Sequence, residues 1–373
     1  MSGPGSVSPA AMFLVIDQLP AAWLGPYGNT THETDSLDAL AADSLLFDFA
    51  FVDSLELQQG LNLMWGFGGS APERSADLFQ RLRDGGLETV LLTDDPGVAN
   101  HPQASFDQVI LIGQNQANAS AREVADTQLA CFFAELAAWL ENSGGPGQLC
   151  WVHSRGFSGS WDAPYFLRQH FAGLDDPEPP GFLDLGSIDA ATVAQDPDQQ
   201  LGLMQAAAAQ VTVLDQCLGM LQTVLDECFD RENFLLVVTS TRGCALGEHQ
   251  KLGLADDLHT EMVQVPLMIR LPQSTPEIEW PTGRSSRFIS PSEISSLLPL
   301  WLTGQTETFR TRIIELDRVL PDRQREVKWL LCPGQKMIQT HAWKLLQTAD
   351  GTTELYAKPD DRWEINNVAN RCP

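Results

Sequence analysis

The sequence predicts an α/β protein: a mainly parallel central sheet flanked by helices, followed by a small antiparallel C-terminal sheet. Two observations carry this reading. Strand-length apolar runs alternate with helical stretches over most of the chain, the pattern of a parallel sheet covered on both faces. After about residue 322 the texture changes to short strands separated by turn signals. The boundaries expected are therefore an α/β domain over 1–321 and a small subdomain over 322–373 packed on it.

The elements follow in order. Residues 1–11 are rich in Ser, Gly and Pro and carry no basic residue, and the first apolar run, 12–16, is a strand too short for a signal sequence or a membrane span. Further strands are expected at 46–52, 89–93, 108–112, 148–153, 233–239 and 265–271. Helices are expected at 36–44, 76–84, 121–141, 201–227 and 291–302. Gly- and Pro-rich stretches at 144–147 and 175–181 read as surface loops. In the C-terminal part, strands at 328–332, 336–340, 343–347 and 353–356 are divided by a Pro-Gly pair at Pro333 and an Asp-Gly pair at Asp350.

Composition narrows the function. The chain has 49 Asp and Glu against 23 Lys and Arg, a formal net charge of −26. A polyanionic nucleic acid or an anionic membrane would meet a surface of its own sign, so neither is an expected partner. A 43% hydrophobic content with 29 Gly and 23 Pro supplies ample core and indicates a folded chain. The seven cysteines form no Cys-x-x-Cys pair and no regular spacing, which suggests neither a disulfide framework nor a zinc ribbon. The expectation is a soluble, cytoplasmic protein, in which the glycosylation-type triplets at Asn29 and Asn118 carry no weight.

Four segments in order resemble the sulfatase family of the alkaline-phosphatase superfamily. Residues 13–29 followed by 34–41 are similar to the family's opening strand, metal-binding turn and helix. Residues 201–227 running into 233–249 look like its long helix, strand and second metal loop. Residues 265–272 resemble the strand that follows, and Trp343 to Leu346 with 354–356, Asp360, Asp361 and 366–369 resemble the C-terminal sheet and closing motif. The resemblance implies hydrolysis of sulfuric or phosphoric esters at an oxygen-ligated divalent cation, with a nucleophile on a helix N-terminus and cationic side chains over the transferred group.

Carried over residue by residue, that machinery is depleted. Asp17 keeps a metal-ligand position, with the neutral Gln18 beside it. The second metal loop reads Ser240, Thr241, Arg242, Gly243, where a hydroxyl and a guanidinium replace the family's acid and its neighbour. Arg cannot ligate a metal and opposes one, so Arg242 is expected to pair with Asp17 in the cation's place. The nucleophile position falls near Leu57 and its Arg near Leu61, neither of which can do the chemistry; Ser54 lies nearby without the flanking pattern. A literal Ser-x-Pro-x-Arg at Ser70 to Arg74 reads as a helix start, with Ser70 as cap and Glu73 completing a capping box.

The family's Lys/His pair corresponds to Asp94 and Asp95, an inverted charge. His153 and Arg155 end a strand, where ligands bind in open α/β sheets, although His153 also reads as a core histidine bonded to backbone; Ser158 takes the place of the family's next His. Glu248 and His249 are the best-kept polar stretch, either functional or bracing their loop, and Lys251 comes earlier than the family's substrate lysine. His259 and Glu261 read as a solvated turn, and Asp53, Asp94 and Asp95 as surface acids rather than a separate cation site.

The leading expectation is a sulfatase-fold pseudoenzyme with a binding or scaffolding role, whose ligand or protein partner the sequence does not identify. No cofactor is expected, with calcium or magnesium if a metal site survives at Asp17 and Gln18. The alternative is a hydrolase with a relocated site near Asp17, drawing on Asp17, His153, Arg242, Glu248 and His249 with water or Ser70 as nucleophile; Lys251 is a further catalytic candidate.

Overall fold

In the computed structural model, residues 8–67, 78–113, 117–276, 278–317 and 326–371 are described. Among the described residues, ten strands come before residue 290: β1 (Ala10–Ile16), β2 (Leu45–Ala50), β3 (Glu88–Thr93), β4 (Gln108–Leu111), β5 (Gln148–Ser154), β6 (Phe234–Thr239), β7 (Ala245–Leu246), β8 (Leu252–Gly253), β9 (Leu267–Arg270) and β10 (Gly283–Ile289). Eight of them form one sheet in the order β10-β2-β9-β6-β1-β5-β3-β4. All pairings are parallel except those of β9, which runs antiparallel to both β2 and β6.

β1 lies between β5 and β6, and every one of its residues is buried. Its alternation sends Met12, Leu14 and Ile16 into one core and Ala11, Phe13 and Val15 into a second core on the opposite face. That two-sided burial is why the strand reads as an unbroken apolar run. The first core is roofed by the helices Gln128–Ser143 and Pro197–Cys228. The longer one starts at Asp196, whose side chain accepts from the Asp198 and Gln199 N–H groups, with Pro197 at its first position. From its middle, Asp215 reaches across to accept from the Ser36 and Leu37 N–H groups, and so caps the helix Asp35–Ala42.

The C-terminal sheet has the order β11 (Lys328–Cys332), β12 (Gln335–Gln339), β13 (Trp343–Thr348), β14 (Thr353–Ala357), all antiparallel. Its inner face, with Leu330, Met337, Leu346 and Tyr356, joins the second core. The mainly parallel sheet with a small antiparallel C-terminal sheet is thus as expected.

Several details differ. β10 was not anticipated, because Gly283–Ile289 holds three charged or hydroxylated residues in its first four positions and pairs only at the sheet edge. A helix at Leu57–Met64 forms where only a nucleophile position was sought, and another at Thr306–Asp317 where none was placed. The helix expected from 121 begins at Gln128, where Thr127 caps it. The 291–302 helix is two short ones, Pro291–Ser295 and Leu298–Leu302, since Pro299 cannot donate to a continuous helical ladder. Ser70 to Arg74 lie outside the described residues.

Candidate functional site

The carboxyl ends of β1, β3, β5 and β6 meet where open α/β sheets place their ligands. Asp17 follows β1 directly and is buried, 1% exposed. Its carboxylate accepts four hydrogen bonds, three on Oδ1 and one on Oδ2. Arg242 Nε donates to Oδ1 at 3.0 Å and Nη2 to Oδ2 at 2.9 Å, a bidentate ion pair; the Thr241 hydroxyl and the Gln18 N–H, at 3.0 Å, also donate to Oδ1. Gln18 supplies its backbone, held at a left-handed φ of 58°. Ser240 braces the loop by accepting from the Leu19 N–H at 3.1 Å and donating to the Arg242 carbonyl at 2.7 Å.

Two glycines allow this closeness. A Cβ on Gly156, at φ +52°, would lie 2.7 Å from the Asp17 carbonyl, and one on Gly243 would overlap the Glu261 carbonyl. A divalent cation does not fit this donor set. Calcium collects about 6–8 oxygens, including several carboxylates, whereas the one carboxylate here already accepts four hydrogen bonds, two of them from a guanidinium.

The helix Leu57–Met64 points its N-terminus toward this pair, since Arg242 Nη1 donates to the Leu55 carbonyl at 3.3 Å. Leu57, near which the nucleophile position was expected, is its first residue and carries an aliphatic side chain. The nearby hydroxyl, Ser54, donates to Gln59 Oε1 at 3.0 Å and accepts from the Glu56 N–H at 3.1 Å, so it serves the turn into the helix.

At the end of β3, Asp94 is buried and accepts from the Arg155 N–H at 2.7 Å, with the Arg155 Nε 3.6 Å away. Burial pushes its carboxyl up to about 6. Asp53 faces Lys328 instead, at 3.9 Å, so Asp53, Asp94 and Asp95 do not form one cation site. Ser158 is exposed and donates to the Arg155 carbonyl. His153 is fully buried in β5, and neither ring nitrogen has a hydrogen-bond partner, contrary to the backbone-bonded core histidine expected. Burial lowers its proton affinity, with Asp17 acting in the opposite sense.

Glu248, His249 and Lys251 lie in a separate cluster, against the C-terminal sheet. His249, at φ 49°, stacks on His259 with ring centroids 3.6 Å apart. His259 is buried, not part of a solvated turn: Nδ1 lies 2.6 Å from Asp257, and Nε2 lies 3.1 Å from Glu354 and 3.4 Å from Tyr356. Burial would lower its proton affinity, but the Asp257 hydrogen bond and charge outweigh this and raise it. Glu261, 3.8 Å from His249, is raised to about 7 by burial. Below them Glu364 receives Lys344 at 2.9 Å, Lys358 at 2.7 Å and the Thr260 hydroxyl. Burial alone would raise Glu364; the two ammonium groups hold it at about 2.

Donor atoms of His249, His259 and Glu364 lie within 4.8 Å of one another. They do not suit an ion: stacked rings cannot both aim in-plane lone pairs at one point, and two lysines already neutralise Glu364. Lys251 is exposed, and its backbone closes the loop with Gly247 and Glu248.

The structure therefore brings together Asp17, Gln18, Arg242 and the Leu57 helix. Glu248, His249 and Lys251 make no hydrogen bond or ion pair with Asp17, Arg242 or His153 among the described residues. The single relocated site assembled from all of them is not formed. Sequence reasoning missed the Asp94–Arg155 pair and the Lys344–Glu364–Lys358 group, whose partners are too far apart in the chain for any spacing to reveal.

The sequence matches no family model and no curated relative. Solved structures share its architecture. A phosphonate monoester hydrolase of Agrobacterium radiobacter superposes with TM-score 0.68, 15% identity, and coverage of 98% of this chain and 92% of that one. A 2-O GAG sulfatase gives 0.69 at 14% identity, covering 97% and 88%. A protein solved in complex with its substrate D-glucosamine-2-N,6-O-disulfate gives 0.67 at 14% identity, covering 97% and 93%.

Proposed function

We propose that this chain, which has the fold of the sulfatases and of a phosphonate monoester hydrolase, does not hydrolyse sulfate esters and serves as a pseudoenzyme with a binding or scaffolding role. The observation that carries the reading is the closed Asp17 carboxylate, in which Arg242 supplies from within the chain the positive charge that a cation supplies in the family it resembles. Leu57 at the helix N-terminus removes the nucleophile, and Asp94 puts an acid where the resemblance calls for a cation. These parts act as one catalytic unit, so losing several leaves little rate from the fold alone. Its free cysteines, with none of the described ones in a disulfide, fit a reducing compartment, and we place the protein in the cytoplasm.

The test is hydrolysis of aryl sulfate, phosphate monoester and phosphonate monoester substrates by the purified protein, with chelator and then with millimolar calcium, magnesium or manganese. Thermal unfolding is followed under the same conditions. The expected result is no turnover above the Asp17→Ala background and no metal-dependent rise in melting temperature. Turnover that Asp17→Ala abolishes would overturn the proposal.

A further inference from the structure

Two cavities share one wall, and neither Asp17 nor Arg242 lines them. The larger, about 350 Å³, lies between the chain that follows β1 and the helix Pro197–Cys228, with Trp23, Met204, Ala207, Val211 and Leu246 among its apolar lining. The smaller, about 190 Å³, extends to Gln339 on β12. Ala22, Glu248, Glu261, Arg362 and Trp363 line both. A mostly apolar cavity of this size with a few convergent polar groups suits a small organic molecule.

The polar groups there are acceptors that lack donors. Gln339 is 3% exposed, and its Oε1 has no hydrogen-bond partner among the described residues. Glu261 Oε1 is likewise buried and unpartnered, with His249 Nε2 3.8 Å away. Glu248 accepts from the Leu246 N–H with one oxygen and makes no ion pair among the described residues. Buried acceptors are normally satisfied and buried carboxylates normally paired. The cations that line the smaller cavity are bonded to other groups: Arg284 to Asp48, His341 to Glu326, Lys358 to Glu364, and Arg362 to the Tyr27 carbonyl. We propose that a primary ammonium compound binds here, its N–H groups directed to Glu261, Glu248 and Gln339 and its apolar body in the larger cavity.

The class of ligand follows from the donor–acceptor balance. An ammonium group carries three donors and no acceptor, which matches a set of groups whose open positions are acceptors. Its hydrogen bonds to carboxylates are stronger than neutral ones, and its charge offsets two glutamates that otherwise repel each other. A divalent metal ion matches less well, since two carboxylates fall short of its ligand set and the apolar walls offer it nothing. An anionic ester would meet two carboxylates of its own sign. The amine binds whether or not the Asp17 site is silent, because the cavities include neither Asp17 nor Arg242.

Isothermal titration of the full chain with n-hexylamine at pH 8 in half-molar salt tests this, beside n-hexanol, hexanoate and calcium chloride. At that pH Glu261 is ionised, and the salt screens diffuse attraction to a chain of −26. The expected result is saturable binding of one amine per chain, about tenfold or more tighter than n-hexanol, with no binding of hexanoate. Glu261→Gln and Glu248→Gln should each weaken it by about tenfold or more and Gln339→Met by about fivefold, with circular dichroism unchanged. The absence of saturable amine binding overturns the proposal. So does n-hexanol or hexanoate binding as tightly as the amine, or amine binding indifferent to the three substitutions. Saturable calcium binding that Glu261→Gln abolishes would make this a metal site, which also overturns it.

Discussion

Replacing Arg242 with Ala should destabilise the protein more than any surface charge change, by an amount that follows from the geometry. The guanidinium makes two of its three hydrogen bonds to Asp17, in a setting where the two side chains are 11% and 2% exposed. Removing it leaves a buried carboxylate with a hydroxyl and one backbone N–H, and breaking a buried pair from one side costs about 3–5 kcal/mol. With an unfolding entropy of about 2.1 cal/mol/K per residue, a chain of 373 residues loses about 0.8 kcal/mol per degree, so the melting temperature should fall by roughly 4–6 °C. Millimolar calcium or manganese should recover none of the loss in Arg242→Ala, because the single carboxylate left there falls short of a divalent cation's ligand set, and should leave the parent protein unmoved. Differential scanning calorimetry of the two proteins, with and without metal, reads both effects. An unchanged melting temperature in Arg242→Ala, or a parent protein stabilised by metal, would refute the replacement of cation by arginine.

Three further outcomes are expected. Leu57→Ser should leave sulfate-ester hydrolysis at background, because a hydroxyl at the helix N-terminus still lacks a cation and a cationic neighbour; measurable turnover would show that the nucleophile was the sole loss. Glu261 is held at about 7 in the folded chain against about 4.5 unfolded, so folding takes up a proton there, and the resulting penalty builds as pH rises from about 4.5 to 7 and is complete above 7. Glu261→Gln should stabilise the protein at pH 8, by no more than about 3 kcal/mol and read as a higher melting temperature, and should leave it unchanged at about pH 3.5. Glu364 is depressed to about 2, so its contribution is complete above about pH 4.5 and is lost as pH falls toward 2. Hydrogen exchange in β13 and β14 should accelerate over that window, and Lys344→Met should shift the acceleration to higher pH.

The fold was legible where one physical signal dominated. β1, β3, β5 and β6 are buried on both faces and announce themselves as apolar runs, whereas β10 at the sheet edge carries Arg284, Ser285 and Arg287 and gives no such signal. In the site, the Asp17–Arg242 contact could be expected because each residue stands at a strand end that the family resemblance identifies. The role of His259 could not, because its burial depends on Glu354 and Tyr356, about a hundred positions on, closing over it. Periodicity speaks for a helix or strand face; it is mute on which loops the C-terminal sheet will cover.

The strand order has a bearing on synthesis. β1 emerges first yet takes the middle of the sheet, between β5 and β6, and β2 pairs only with β9 and β10. At about 5–20 residues per second, β1 waits on the order of ten seconds for Gln148–Ser154 and longer for Phe234–Thr239. During that interval the nascent chain carries two apolar strands without partners. The strand order therefore leaves those apolar strands exposed to intermolecular contact until the later strands are made.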